Sequence, residues 1–293
     1  MAAYYNTDWA ECYDLWVRTI FGDGPVEDIP VFTSILSDIA TKRTESSSAD
    51  SITIVDVGTG SGRVLVDLQD TMAKVEGTKL EVWGLEPSES MLERAKRFWE
   101  EGVQKKGITR EWQVRWVQCG ATDLAGTVLE GSTGADLVIF AAGGICHVTE
   151  DGDVERFLSA VRRVLKKDGV AVVSILKDFI LDDVEQLAHQ QHGGSATEQG
   201  QLPQRIPSVD HPGLVYIKHP TSETIKGGVK TEKFKLDVEK DNEVLRSHEL
   251  SWDEKMFEKA KWEGMVVRAG LRVREVREGG LQLWYLLEQA EGA

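Results

Sequence analysis

The chain has 293 residues, of which 41% are hydrophobic and 28% charged, and 34 basic against 49 acidic side chains give a formal net charge of −15. This length allows a large buried core, and the acidity argues against partners such as nucleic acid or an anionic membrane surface. The longest nearly uncharged apolar run covers residues 137–148. It is too short for a membrane-spanning helix, which needs about 20 residues.

The cysteines and the N-terminal residues indicate the cellular compartment in which the protein is expected. The three cysteines, Cys12, Cys119 and Cys146, lie far apart and lack the spacing of a zinc site, so the sequence predicts free thiols and no metal centre. The first residues show neither the basic nor the apolar region of a secretory signal. We therefore expect a cytoplasmic protein.

The N-terminal fifty residues predict a helical cap. Trp9, Tyr13, Trp16 and Ile20 recur at spacings of three and four. The helical period resumes over residues 31–41 after a break at 22–25, and a polar, serine-rich connection follows at 44–50.

From residue 52 onward, short apolar runs alternate with helical patterns, which is typical of a parallel sheet covered by helices. The expected strands are residues 52–57, 79–85, 113–118, 136–141 and 170–176. The expected helices are residues 63–74, 89–101 with Ser88 as N-cap, and 153–167 with Asp168–Gly169 as a left-handed C-terminal cap.

The alternation of strand and helix then stops. Residues 186–213 predict a loop, and residues 214–250 predict an antiparallel insertion with a turn at Asp241–Asn242. A helix at 253–269 ended by Gly270, a strand at 271–277 and a final strand at 281–287 predict an antiparallel edge to the parallel sheet.

The most informative stretch runs from Val55 to Arg63 and reads V-D-V-G-T-G-S-G-R, directly between a strand and a helix. Its three glycines permit positive φ and let a ligand approach bare backbone at the carboxyl end of the sheet. The spacing differs from the dinucleotide pattern GxGxxG, because Arg63 stands where that pattern has its third glycine. Asp56 would oppose a pyrophosphate but suits a cofactor that carries an ammonium group and a sulfonium.

This Asp-x-Gly-x-Gly-x-Gly pattern resembles the class I S-adenosylmethionine-dependent methyltransferases, in particular small-molecule enzymes with a β-rich lid such as those related to glycine N-methyltransferase and those of secondary metabolism. The resemblance implies an α/β fold with a Rossmann-like, seven-stranded, mostly parallel sheet and an antiparallel C-terminal hairpin. It implies a cap at 1–50, a core at 51–176 and 251–293, and a lid at 177–250. The implied cofactor is S-adenosyl-L-methionine.

Two further segments carry the resemblance. Glu86, in W-G-L-E-P-S, stands where the family has an acid that accepts hydrogen bonds from both ribose hydroxyls, and an ionised carboxylate is a strong acceptor for them. Residues 119–124 resemble the segment that borders the adenine, although Gly120 stands where an acid often contacts its amino group.

The resemblance implies a set of cofactor-binding residues. They are Tyr13, Asp56, Gly58, Thr59, Gly60, Gly62, Arg63, Glu86, Pro87, Ala121, Thr122, Asp123 and Ala141. Tyr13 belongs to a segment similar to the family's Ala-x-x-Tyr-Asp entry and would reach the methionine carboxylate, with Arg63 as a second candidate. Trp9 and Trp16 fit plain packing of this helix on the core.

The loop after the fourth strand, residues 141–147, lacks the Asn/Asp-Pro-Pro-Tyr/Phe sequence of base-modifying enzymes, which favours a small-molecule acceptor. His147 matches a family histidine near the methyl position, where it would act as a catalytic base. The alternative is that it caps or packs against the following helix, and Cys146 is interpreted as a packed side chain. Equal numbers of acidic and basic residues between 204 and 250 leave the acceptor pocket free to be uncharged.

Three functions fit these observations. The first is O- or N-methylation of a small organic molecule. The second keeps the fold and cofactor but acts as a cyclase of secondary metabolism, and the third is a non-catalytic, cofactor-binding regulator. The acceptor and the oligomeric state stay open.

Overall fold

The computed structural model describes residues 6–21, 26–45, 51–129, 134–182 and 202–291, and the expectations for 22–25, 46–50 and 186–201 lie outside them. The helices are α1 Thr7–Phe21, α2 Ile29–Glu45, α3 Arg63–Asp67, α4 Gln69–Ala73, α5 Glu89–Lys105, α6 Leu124–Leu129, α7 Asp153–Val164 and α8 Lys259–Arg268. The strands are β1 Ile52–Val57, β2 Leu80–Leu85, β3 Gln113–Val117, β4 Ala135–Phe140, β5 Leu165–Leu176, β6 Ile180–Leu181, β7 Gln204–Pro207, β8 Leu214–Lys218, β9 Ser222–Lys226, β10 Val229–Lys240, β11 Glu243–Lys255, β12 Phe257–Glu258, β13 Leu271–Glu278 and β14 Gln282–Gln289. No helix among the described residues is long and apolar enough to cross a membrane.

The central sheet has seven strands in the order β13-β14-β5-β4-β1-β2-β3, which confirms the expected fold class. Strands β1 to β5 run parallel, while β14 is antiparallel to β5 and β13 to β14. The chain leaves β1 toward β2 on one side and later returns to β4 on the other. In open α/β sheets this switch of direction marks the place where ligands bind, beyond the carboxyl ends of the strands.

Both faces of β1 are buried, because helices cover the sheet on two sides. Val55 and Val57 pack in one core with residues of α6, α7 and α8, and Ile52 and Ile54 pack in a second core with residues of α2 to α5. Burial of an aliphatic side chain of this size contributes about 1.5–3 kcal/mol. The two cores therefore fix the strand whose end carries the glycine loop.

The fifth strand begins earlier than expected, at Leu165, and α7 ends at Val164. The prediction of a left-handed cap at Asp168–Gly169 was therefore wrong. Gly169 does not have a positive φ. A Cβ on this residue would lie 2.6 Å from the carbonyl oxygen of Ala135. Glycine is needed here because two backbones approach closely, not because a helix ends.

Other boundaries also differ from expectation. The helix expected at 63–74 divides at Leu68 into α3 and α4. The helix expected from 253 starts only at Lys259, because residues 253–255 continue β11 and pair with residues 229–231 of β10. Part of the expected loop, residues 204–207, is strand β7, paired with β8.

The insertion folds as an antiparallel lid sheet, with strands in the order β11-β10-β8-β7 and β9 paired with β10. Asp241 and Asn242 have φ values of 52° and 64°, which confirms the expected turn, since tight hairpins favour residues that tolerate positive φ. Strands β6 and β12 pair in parallel where the chain leaves and re-enters the central domain.

Helix α1 packs on the lid sheet rather than on the central sheet. Trp9 is fully buried, lies 4.9 Å from Phe234 between ring centroids, and stacks on Trp252 at 5.8 Å. Trp16 joins the same cluster. The prediction that Trp9 and Trp16 are packed side chains is therefore confirmed, but their partners come from the lid and not from the core around the central sheet.

Candidate active site

The loop after β1 is shaped by three glycines with positive φ: Gly58 at 63°, Gly60 at 57° and Gly62 at 82°. A Cβ on Gly62 would lie 3.0 Å from the Cβ of Ala95 in α5, so this glycine lets the loop rest on that helix. A Cβ on Gly60 would meet no atom within 4 Å. The loop therefore presents its backbone toward open space at Gly60.

Two buried carboxylates flank this loop. Asp56 is 1% exposed and accepts a hydrogen bond of 2.6 Å from the hydroxyl of Thr59. Glu86 accepts from the backbone N–H of Gly60 at 3.0 Å and from that of Ser88 at 2.9 Å. Burial raises the pKa of Asp56 to about 7 and also raises the pKa of Glu86. Neither carboxylate has an ion pair among the described residues, so these two acceptor groups fit a ligand with hydroxyl groups and positive charge.

Arg63 is engaged within the protein. Its two terminal nitrogens donate to the carboxylate of Asp28 at 3.0 Å and 2.6 Å, and Asp28 is fully buried. A buried acid left without its partner would be strongly destabilising, so the pair fixes α2 against the start of α3. The sequence offered no signal for Asp28, because the pairing depends on how α2 packs.

The other predicted cofactor residues gather at the same edge of the sheet. Residues 121–123 form a 3-10 turn directly after β3, with Asp123 exposed. Pro87 follows Glu86, and its carbonyl accepts from the side chain of Gln118. Ala141 directly follows β4, and its carbonyl accepts from the N–H of Gly144 at 2.9 Å.

The segment after β4 brings His147 to the lid. Nδ1 of His147 lies 3.2 Å from the carbonyl oxygen of Asp253 in β11. Because a carbonyl oxygen only accepts, Nδ1 carries the proton and the neutral ring has an unprotonated Nε2. Burial lowers the pKa of His147 and raises the pKa of Cys146 to about 12, so at neutral pH the imidazole is neutral and Cys146 is a thiol. Cys146 is fully buried, as its interpretation as a packed side chain requires.

Tyr13 lies between the glycine loop and the lid. Burial raises its pKa to about 12, and the negative charges of Asp14, Glu254 and Glu86 act in the same direction. Asp14, its neighbour in α1, accepts from the hydroxyl of Ser61 at 2.6 Å and from Nε of Arg94 at 2.8 Å. Helix α1 therefore contacts the glycine loop through Asp14, which is not among the residues predicted from the sequence.

Glu11 was missed entirely, although it holds the lid to α1. Its carboxylate is 2% exposed and accepts from the backbone N–H groups of Val209 and Asp210, both at 2.7 Å, and from the hydroxyls of Ser208 and Tyr216. No local signal could reveal these contacts, since 197 to 205 residues separate the partners along the chain. Among the described residues, no group of three or more His, Cys, Asp or Glu side chains could hold a metal ion.

Comparison with known proteins agrees with this geometry. Residues 54–169, which include the glycine loop, Glu86 and His147, match the methyltransferase domain family. The chain is 29% identical over 247 residues to the N-methyltransferase FrzE of a Cladobotryum species, covering 80% of this chain and 77% of FrzE.

Solved structures show the same architecture. KedS8 from Streptoalloteichus, described as a sugar N-methyltransferase, is 16% identical, with a TM-score of 0.60 over 95% of this chain and 93% of its own. DesVI from Streptomyces venezuelae is 20% identical, with a TM-score of 0.57 over 98% of this chain and 100% of its own. At these identities the likeness shows the fold. The chain therefore carries a methyltransferase domain over residues 54–169 and has the class I methyltransferase fold.

Proposed function

We propose that the protein methylates a nitrogen atom of a small organic molecule. The observation that carries the proposal is the open loop at Gly60, flanked by the buried acids Asp56 and Glu86, at the switch point of the sheet. A nitrogen acceptor is supported by the match to FrzE, an N-methyltransferase. KedS8 is described as a sugar N-methyltransferase.

In this proposal each part of the site holds one part of the cofactor. Glu86 accepts from the ribose hydroxyls, Asp56 faces the amino group, and residues 121–123 with Pro87 border the adenine. Tyr13 would approach the carboxylate, and Arg63, which donates two of its five N–H groups to Asp28, would contribute positive charge. Gly58, Thr59, Gly62 and Ala141 shape the backbone around it. When bound, S-adenosylmethionine supplies an electrophilic methyl group.

The chain's own contribution is positioning, exclusion of water and proton removal. Positioning of a nucleophile is worth up to about 7–11 kcal/mol in favourable cases. Helix α1 and the lid sheet form one cluster above the loop, which keeps the acceptor away from water. The unprotonated Nε2 of His147 is the group that accepts a proton from the acceptor.

Two further assignments belong to the proposal. CalS10 from Micromonospora echinaspora, 16% identical with a TM-score of 0.56, is described as an amino pentose methyltransferase of calicheamicin biosynthesis, which supports a role in secondary metabolism. A cytoplasmic location is supported by the free cysteines Cys12, Cys119 and Cys146.

The test is incubation of the purified protein with methyl-labelled S-adenosylmethionine and three pooled panels: small amines, phenols and carboxylic acids. We expect label in products of the amine panel, located on nitrogen by mass spectrometry. Label confined to phenols or carboxylic acids would contradict N-methylation. Isomerised products without label would favour a cyclase, and absence of S-adenosylhomocysteine binding would contradict the assigned cofactor site.

A further inference from the structure

The lid holds a buried carboxylate next to Asp253, the residue that contacts His147. Glu254 lies near the end of β11 and is 9% exposed. It pairs in register with Lys230 of β10, but the ammonium of Lys230 already contacts Glu232 at 2.5 Å and Glu223 at 3.0 Å. Among the described residues Glu254 makes no ion pair, so three carboxylates share the charge of one lysine.

Glu254 lies on the part of β11 that contacts the loop after β4. The carbonyl of its neighbour Asp253 accepts the hydrogen bond from His147. Successive side chains of a strand point to opposite faces, and Asp253 is exposed while Glu254 is buried. The negative charge of Glu254 acts on Tyr13 of α1 and on Cys146 beside His147, raising the pKa of both. Tyr13 of α1 and Cys146 of the loop after β4 therefore lie within electrostatic range of this carboxylate.

A buried carboxylate without a counter-ion is costly to the protein alone. Burial, and after it the charge of Glu232, raises the pKa of Glu254 to about 7, while the side chain of Trp252 donates a hydrogen bond to it. A positively charged ligand removes this cost, because it forms a charge-assisted hydrogen bond. A neutral alcohol gives a weaker bond, and an anionic ligand is repelled.

We propose that Glu254 binds the amino group of the acceptor and takes the proton that this group loses before it reacts. This inference rests on the proposed N-methylation and assigns the acceptor as an amine that enters as its ammonium form. One N–H proton moves from the ammonium to a carboxylate oxygen of Glu254, and the electron pair of that bond stays on nitrogen as the lone pair. Ammonium and carboxylate become neutral amine and carboxylic acid, so the net charge of the pocket does not change. Nε2 of His147 then takes the proton that the methylated nitrogen sheds.

The experiment is calorimetry on the full chain saturated with S-adenosylhomocysteine. The probes are cyclohexylamine and 2-phenylethylamine, each paired with the alcohol of the same carbon skeleton. We expect the amines to bind at least about tenfold more tightly than the alcohols, as a hydrogen bond to a charged group requires. Glu254→Gln should remove that preference, and Glu254→Asp, which keeps the charge, should retain part of it.

Glu249→Gln is the matched control, because Glu249 lies on the same strand and is exposed. It should leave the preference for amines unchanged. Equal binding of amines and alcohols to the unaltered protein, or a preference that survives in Glu254→Gln, would overturn the inference. The affinity for S-adenosylhomocysteine tests the proposed function separately, since it should be the same within about twofold in all variants.

Discussion

Two regions of the molecule are stabilised in different ways. The cofactor cradle consists of residues 56–63 with Glu86. The cap-lid seam consists of the contacts of α1 with residues 204–252. In the cradle, backbone conformation and hydrogen bonds to backbone N–H groups determine the shape. In the seam, side chains of α1 meet partners that lie about 200 positions away in the sequence. A cradle of this kind depends on a short motif, whereas the seam exists only once the chain has folded. The two regions can therefore be altered independently.

The largest effect is expected for Gly60→Val. Valine is strained at positive φ, and its side chain would occupy the open space that the loop faces. We expect the affinity for S-adenosylhomocysteine, measured by calorimetry, to fall at least about a hundredfold, or roughly 2.7 kcal/mol. Gly77→Val is the control, because Gly77 also has positive φ and open surroundings but lies in the connection between α4 and β2. An equal loss of affinity in both variants would show that strain, not the cradle, is responsible.

A substitution in the seam should lower the stability of the fold and leave the cofactor affinity unchanged. Glu11→Gln removes the charge that accepts from Val209, Asp210 and Tyr216. We expect the free energy of unfolding in urea to fall by about 2 kcal/mol, because hydrogen bonds to a buried charged group are lost. The affinity for S-adenosylhomocysteine should stay within about twofold. The exposed Glu249→Gln should leave both quantities unchanged, and a large loss of cofactor affinity in Glu11→Gln would mean that the cradle and the seam are not independent.

This contrast also explains what could be read from the sequence. Ser88 was recognised as an N-cap and Glu86 as the acid after β2 because their partners are a few residues away or belong to the glycine motif. Most strands and helices were predicted for the same reason, since hydrophobic period is a local signal. The predicted cap at Asp168–Gly169 was wrong because a glycine inside a strand can permit close backbone approach, and the sequence does not distinguish this from a turn.

Long-range contacts could not be predicted. From the motif alone, Arg63 is free to bind a ligand. Only the packing of α2 shows that its two terminal nitrogens donate to Asp28. Equal numbers of acidic and basic residues between 204 and 250 are compatible with an uncharged pocket. That range ends before Glu254, and the numbers include side chains on both faces of the lid. In the proposed site, the acceptor meets only the charges on the inner face of the lid. Which side chains lie on that face is shown by their burial in the folded structure.

The cradle should also depend on pH through Asp56. Folding raises its pKa from the ordinary value of 3.8 to about 7 because the group is buried, with Arg63, Asp28 and Glu86 as the surrounding charges. Its neutral form therefore stabilises the ligand-free fold below about pH 4, and this stabilisation is lost as the pH rises through 7. The ammonium group of the ligand prefers the ionised form of Asp56, so the affinity for S-adenosylhomocysteine, which carries this group, should rise about tenfold between pH 6 and pH 8. Asp56→Asn should flatten this profile, and an unchanged slope in that variant would assign the titration to another group.

The smallest effect is expected where the two regions meet. Arg94 of α5 donates to Asp14, which contacts the glycine loop through Ser61, and to Asp210 of the lid at 2.5 Å. A double-mutant cycle with Arg94→Gln and Asp210→Asn, followed by urea unfolding, should give a coupling energy of about 1 kcal/mol, because the pair is mostly shielded from solvent. The exposed pair Lys177–Glu278 is the control cycle and should give no more than about 0.5 kcal/mol. If the effects of the Arg94 and Asp210 substitutions simply add, this pair has no coupling energy, and the cradle and the seam have no electrostatic link at this point.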